Sequence, residues 1–165
     1  MNKSVEQLMM ALNKEYEVYE EVLEIAKNKR KIIVEGRIKE LDGITGREQS
    51  MILTIAKLEN IREVIIRNII EELNIDSIEN ISELTQYLDD KSKREIIDIR
   101  DKFADILKTV KNENDLNSKL IEQSLEYIEF NKNLLTTLEH SGSTYGAKAD
   151  EKDSKVKNNL FDARI

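Results

Sequence analysis

Residues 91–140 read KSKREIIDIRDKFADILKTVKNENDLNSKLIEQSLEYIEFNKNLLTTLEH, and their apolar positions recur every three or four residues. Ile96, Ile99, Phe103, Ile106, Leu107 and Val110 begin the stripe; Leu120, Ile121, Tyr127, Ile128, Leu134, Leu135 and Leu138 carry it on. This is the period of a helix face, with none of the two-residue alternation of a strand. Asp89 or Asp90 can cap the start, and Ser141-Gly142 marks the stop. At helical rise, a helix over 91–139 is about 73 Å long.

Upstream, 74–81 reads as a connection leading to a short helical turn through Leu88, with Ser82 as the expected cap and Ile81 just before it. A second stripe precedes it: Ile38, Leu41, Ile44, Met51, Ile52, Ile55, Leu58, Ile65, Ile66, Ile69 and Leu73. Gly43 and Gly46 weaken its beginning, where a kink or fraying is expected. Before Gly36, the residues Val5, Leu8, Leu12, Tyr16, Tyr19, Val22, Leu23 and Ala26 line one face of a helix over 3–34. These two helices would measure about 48 Å and about 55 Å. The junction at Glu35-Gly36 leaves room only for an antiparallel reversal or a continuous bent helix, and the reversal is favoured. The expected fold is therefore all-α, an elongated antiparallel helical coiled-coil bundle over 1–140. From Ser141 the periodicity collapses into SGSTYGAKADEKDSKVKNN, so 141–165 is expected to be a flexible, disordered tail. Its apolar end, Leu160, Phe161 and Ile165, reads equally as a short partner-binding motif or as an accident of composition.

Composition narrows the function classes. The chain has 165 residues, 36% charged and 39% hydrophobic, with 5% aromatic and no Trp, Cys or Pro. Without Cys there are no disulfides, thiolate metal sites or thiol nucleophiles. The only His is His140, at a helix end; no Glu-x-x-His pair, phosphate-binding loop, dinucleotide fingerprint or calcium loop occurs, so no catalysis, cofactor or metal is expected. The Asn-Ile-Ser at 80–82 matches a glycosylation acceptor by chance, because no secretory signal or membrane-spanning stretch is seen. A cytoplasmic location without membrane insertion follows as an expectation. The net charge of −7 comes mostly from 76–90, which holds five acids and no base; elsewhere the signs are mixed. Mixed signs mark solvated helix faces and exclude the one-signed basic surface that nucleic acid needs. The one basic cluster, Lys27, Lys29, Arg30 and Lys31, suits the carbonyl pole of a helix end.

Between 116 and 138 the apolar residues cover an arc of about 220° on a helical wheel, roughly twice what one core-facing stripe needs. Either both preceding helices pack there, or part of the arc receives a helix from another protein. Asn114, Asn117, Ser124 and Asn131 interrupt the stripe; polar seam residues lower bundle stability, and they fix register or keep a groove loose. The third helix exceeds the first two by roughly 20 Å. The unmatched piece falls at its carboxyl end, where Ile128, Leu134, Leu135 and Leu138 would lack cover from the chain itself.

Three segments carry a family resemblance: EGRIKELDGITGREQSMILTIAKLENIR at 35–62, NENDLNSKLIEQSLEYIEFNKNLL at 112–135, and the terminal NLFDARI. With the opening heptad helix they resemble the FlgN-type flagellar export chaperones. The resemblance implies a cytoplasmic chaperone for the flagellar hook-associated proteins of the hook–filament junction. It would bind the amphipathic carboxyl-terminal helices of its clients, prevent their premature association, and deliver them to the flagellar export gate. Leu120, Ile121, Leu125, Ile128, Leu134, Leu135 and Leu138 are the expected client-binding residues. Tyr127 and Tyr145 are the two candidates for a family tyrosine that docks on the gate. Two alternatives stay open. One is a structural or adaptor coiled coil that buries the 116–138 arc in a homo-oligomer such as a homodimer; the other is a related flagellar chaperone for the filament cap or filament protein.

Overall fold

The computed structural model describes residues 3–142, with side chains as far as His140; the expected tail beyond them, Tyr145 included, lies outside the described residues. The ordered elements are α1 (Lys3–Val34), α2 (Ile38–Leu73), α3 (Ile81–Leu84), a 3-10 turn at Thr85–Tyr87, and α4 (Asp90–Gly142). No strand occurs among the described residues, so the fold is all-α. Contacts divide the chain into two compact units, Met1–Leu125 and Glu126–Ile165.

In the first unit α1 and α2 form an antiparallel hairpin. Their register is read from three cross-helix pairs: Ser4 Oγ donates to Glu72 Oε1 at 2.6 Å, Arg62 Nη1 lies 3.4 Å from Glu15 Oε2, and Lys29 Nζ lies 2.8 Å from Glu48 Oε2. The reversal rests on Gly36, whose φ of 67° is left-handed. Around it Gly36 N–H donates to the Ile33 carbonyl and Arg37 N–H to the Ile32 carbonyl, the pair of bonds that closes a helix end and satisfies its orphan carbonyls. A Cβ at position 36 would meet nothing within 4 Å, so the glycine is required by backbone conformation alone. Gly36→Ala is therefore expected to cost about 1 kcal/mol, seen as a lower urea midpoint with unchanged circular dichroism at rest. Asn74 ends α2 in the same way, with φ 50° and ψ 49°, its N–H donating to the Glu71 carbonyl and that of Ile75 to the Ile70 carbonyl.

α2 runs unbroken through Gly43 and Gly46 as one helix over Ile38–Leu73, without the frayed beginning those glycines allow. Ile44 is buried with Ile25 and Ile32 of α1, and the Lys29–Glu48 pair is only 17% exposed on each side chain. Both fix this turn to α1, while nothing presses on the glycines from outside. The cap of α3 also differs from expectation. Asn80 Oδ1, not Ser82, accepts the Glu83 N–H at 2.9 Å, while Ser82 Oγ accepts from Arg100 Nη1 of α4. At the start of α4, Asp89 accepts from the N–H groups of Lys91 and Ser92 and from Ser92 Oγ. Those bonds, the one from Ser92 N–H foremost, hold its carboxyl below the ordinary 3.8. The stabilisation it gives is present above 3.8 and is lost as pH falls through the lowered value.

The main core joins four elements at one end of the unit: Val5, Leu8 and Leu12 of α1, Ile65 and Ile69 of α2, Leu84 of α3, and Ile96 and Ile99 of α4. Further along, Phe103 of α4 takes Tyr16 and Tyr19 edge-on, with ring centroids 5.9 and 5.7 Å away. Val22 then packs with Ile106 and Val110. On α4 the inward positions Ser92, Ile96, Ile99, Phe103, Ile106, Val110, Glu113 and Asn117 repeat at alternating steps of four and three, the heptad of a coiled coil.

Charged residues occupy some of these seams. Glu15 is 2% exposed on α1 and faces Arg62 of α2. Burial pushes its carboxyl above the ordinary 4.5, Arg62 pulling it back down and Glu59 adding to the rise. A folded-state value above the unfolded one favours the fold while the group is protonated; that contribution is complete below 4.5 and is lost as pH rises through the raised value. Comparing Glu15→Gln with the parent by urea titration should show this: from neutral pH towards 4.5, the parent gains stability relative to the variant, and parallel pH profiles would refute the assignment.

Candidate functional site

The candidate site is built on α4, whose seam changes character after Val110. Arg30 Nη1 lies 3.0 Å from Glu113 Oε1, and Asn117 Nδ2 donates to the Ala26 carbonyl at 2.9 Å. Asn117 Oδ1 is buried without a hydrogen bond, a cost that a leucine at the same seam position would not carry. Arg30 lies four residues before the end of α1, so the hairpin offers seam partners to α4 only as far as about residues 117–121. Leu120 and Ile121 are accordingly half-buried, and Leu125, the last residue of this unit, is 60% exposed. Of the other polar seam residues, Asn114 and Ser124 are exposed and Asn131 is half-buried; Ser124 Oγ donates back to the Leu120 carbonyl.

In the second unit the described part of α4 carries Tyr127, Ile128, Phe130, Leu134, Leu135 and Leu138, all between 47% and 67% exposed. They are held in a row by helical spacing alone: 128, 131, 135 and 138 continue the three-and-four repeat, with 127, 130 and 134 beside it. Backbone-directed bonds from Ser/Thr side chains, such as Thr136 Oγ1 to the Lys132 carbonyl and Thr137 Oγ1 to the Asn133 carbonyl, keep the polar face occupied with its own helix. The result is a helix of helical-net geometry with an uncovered apolar stripe.

The expected client-binding residues therefore fall into two groups. Leu120 and Ile121 share in the packing of the first unit, whereas Leu125, Ile128, Leu135 and Leu138 offer most of their surface to solvent and Leu134 just under half. Tyr127 is exposed on the same stripe. Phe130, 63% exposed, belongs with this stripe but is missing from the expected residues; its place on the wheel, next to Leu134, was the available signal. A second apolar surface lies on α2, where Ile52, Leu53, Ile61 and Val64 are exposed although Ile52 reads in sequence as part of a buried stripe.

Among the described residues no group of three or more His, Cys, Asp or Glu is placed to hold a metal ion. No helix among them is long and apolar enough to cross a membrane. A family model described as FlgN protein matches residues 1–153. We found no match among curated proteins or among solved structures.

Proposed function

The chain belongs to the FlgN protein family, a family of flagellar export chaperones, and on that premise we propose that it serves the hook–filament junction proteins in the cytoplasm. Their amphipathic carboxyl-terminal helices would lie along the exposed stripe of the second unit, on Ile128, Leu134, Leu135 and Leu138; Leu120, Ile121 and Leu125, in the first unit, are the other proposed client-binding residues. Delivery to the export gate completes the role, Tyr127 being the described candidate for gate docking and Tyr145 the other.

The observation that carries this reading is the uncovered stripe. A chain with only 5% aromatic residues leaves Tyr127 and Phe130 in water together with four large aliphatic side chains. Leaving such a row exposed forgoes on the order of 1.5–3 kcal/mol per side chain, a cost recovered when a helix of matching period covers it. Helix-in-groove recognition uses this spacing, with anchors at i, i+3, i+4 and i+7. A covered client helix cannot associate with its own kind, and nothing in this scheme requires a nucleotide.

The test is calorimetric titration of the full chain with the carboxyl-terminal segment of a junction protein, alongside sedimentation of the chain alone. A one-to-one complex with the segment supports the proposal. A stable homo-oligomer that does not bind the segment favours the adaptor coiled coil instead, and binding only of a filament or cap protein segment changes the client.

A further inference from the structure

We infer that residues 160–165 of the chain itself occupy the exposed stripe of the second unit until a client displaces them; the inference rests on the reading of that stripe as a binding site and adds its regulation. Tyr127, Ile128, Phe130, Leu134, Leu135 and Leu138 are all between 47% and 67% exposed, a row of the kind that marks a contact surface. Between 143 and 159 the only large apolar residues are Tyr145 and Val156; Leu160, Phe161 and Ile165 then follow within six positions. Phe161 and Ile165 are spaced i, i+4, as anchors are when a segment lies along an apolar helix face. The pattern is also repeated. Phe161-Asp162-Ala163-Arg164-Ile165 follows the same order as Tyr145-Gly146-Ala147-Lys148-Ala149, sixteen positions earlier: an aromatic, any residue, Ala, a cation, an aliphatic. Only the second copy has bulky aliphatic residues at its borders, Leu160 and Ile165 where the first has Thr144 and Ala149, so it is the copy that matches the stripe.

The length of chain between stripe and segment selects this occupant. Both belong to the second unit, Glu126–Ile165. Leu138 and Ile128 lie about 6 Å and about 21 Å back along the helix axis from Gly142. Leu160 comes eighteen residues after Gly142. As a coil, that length spans about 21–25 Å on average, and at full extension about 60 Å. The average reach thus equals the distance to the far end of the stripe, the condition that gives a tethered segment its highest effective concentration, roughly millimolar for short linkers. The same segment on a second copy is present only at the bulk protein concentration, so the chain's own segment is the favoured occupant in dilute solution. At such an effective concentration a weak contact suffices. A weak contact is also one that a longer client helix, with more anchors along the stripe, can displace.

The experiment compares the full chain with its triple variant Leu160→Ser, Phe161→Ser, Ile165→Ser, circular dichroism checking that both keep the same helix content. The chain has no cysteine, so Asn158→Cys accepts a nitroxide label in either background. In the parent the label should broaden the methyl resonances of Ile128, Leu134, Leu135 and Leu138; in the triple variant the broadening should be largely lost. Equal broadening in the two chains, or none in the parent, overturns the inference. So does broadening of Ile52 and Leu53 of α2 in place of the stripe. Broadening that passes from a labelled chain to a separate, isotope-enriched one makes a second copy the occupant and overturns it too. Calorimetric titration with a junction-protein carboxyl-terminal segment should then show about fivefold tighter binding to the triple variant, because nothing competes for the stripe. Equal affinity for the two chains overturns the inference while the stripe stands as the client site. Binding of the client segment by neither chain overturns the client reading instead, and the label alone then decides whether residues 160–165 occupy the stripe.

Discussion

Leu135→Asp combined with Leu138→Asp is expected to weaken binding of a junction-protein carboxyl-terminal segment by at least about 100-fold while leaving helicity unchanged. Both side chains are more than half exposed and neither belongs to a buried cluster of the first unit, so their replacement leaves those clusters intact. Asp in an exposed helix interior costs only about 0.5 kcal/mol of helix propensity per site. In a complex the balance differs, because each buried leucine supplies on the order of 1.5–3 kcal/mol and an aspartate there would be desolvated without a cation opposite it. Two such losses exceed the 2.7 kcal/mol that corresponds to about 100-fold. Titration calorimetry reads the loss and far-ultraviolet circular dichroism the helicity. Unchanged affinity would move the client site elsewhere, the exposed Ile52, Leu53, Ile61 and Val64 surface of α2 being the next to test.

The second large effect is on stability. Ile69 is fully buried in α2, in the cluster where α1, α2, α3 and α4 meet, beside Leu8, Leu12, Leu84 and Ile96. Ile69→Ala removes three carbons from a site walled by four elements that cannot all collapse inwards, so the expected loss is about 2–5 kcal/mol. A marginally stable chain has about 5–15 kcal/mol in total, so this one change could remove much of it. Urea unfolding followed by circular dichroism measures the loss. Ile52→Ala serves as the contrast: its side chain is 57% exposed on the same helix, and the expected cost is below about 0.5 kcal/mol. Similar costs at the two positions would mean that the core is not where the cluster places it.

Much of the architecture was legible because a heptad needs no partner to be recognised. The helix over 3–34 and a last helix ending near Ser141-Gly142 follow from spacing and from helix-ending residues; α1 has the expected bounds, and α4 runs on through Ser141 to Gly142. The inner face of α2 was less legible. Isoleucine occurs on several of its faces, so Ile38 and Ile52 read as core in a periodic stripe, yet both are exposed and only Ile44, Ile65 and Ile69 are buried. The charged seam residues were not legible at all. Glu15, Arg62, Lys29, Glu48, Arg30 and Glu113 look like solvated positions until the partner helix stands opposite, because an ion pair across two helices leaves no mark in the spacing of either one.

The amino-acid sequence by itself determined that the chain is helical, roughly where its long helices begin and end, that the first of them stops at Gly36, and that α4 carries more apolar surface than one neighbour covers. Those are properties of period and of local backbone preference, which each segment holds on its own. Which part of that surface is covered depended on the tertiary structure. The cross-helix pairs set the register of α1 against α2 and of α1 against α4, and the hairpin's end at Gly36 then leaves seam partners for α4 only to about residue 121. Leu125, the last residue of the first unit, is exposed, and in the second unit Ile128, Leu135 and Leu138 are exposed as well. Periodicity marks a face as apolar, but only the ends and register of the neighbouring helices determine whether it is core or open surface.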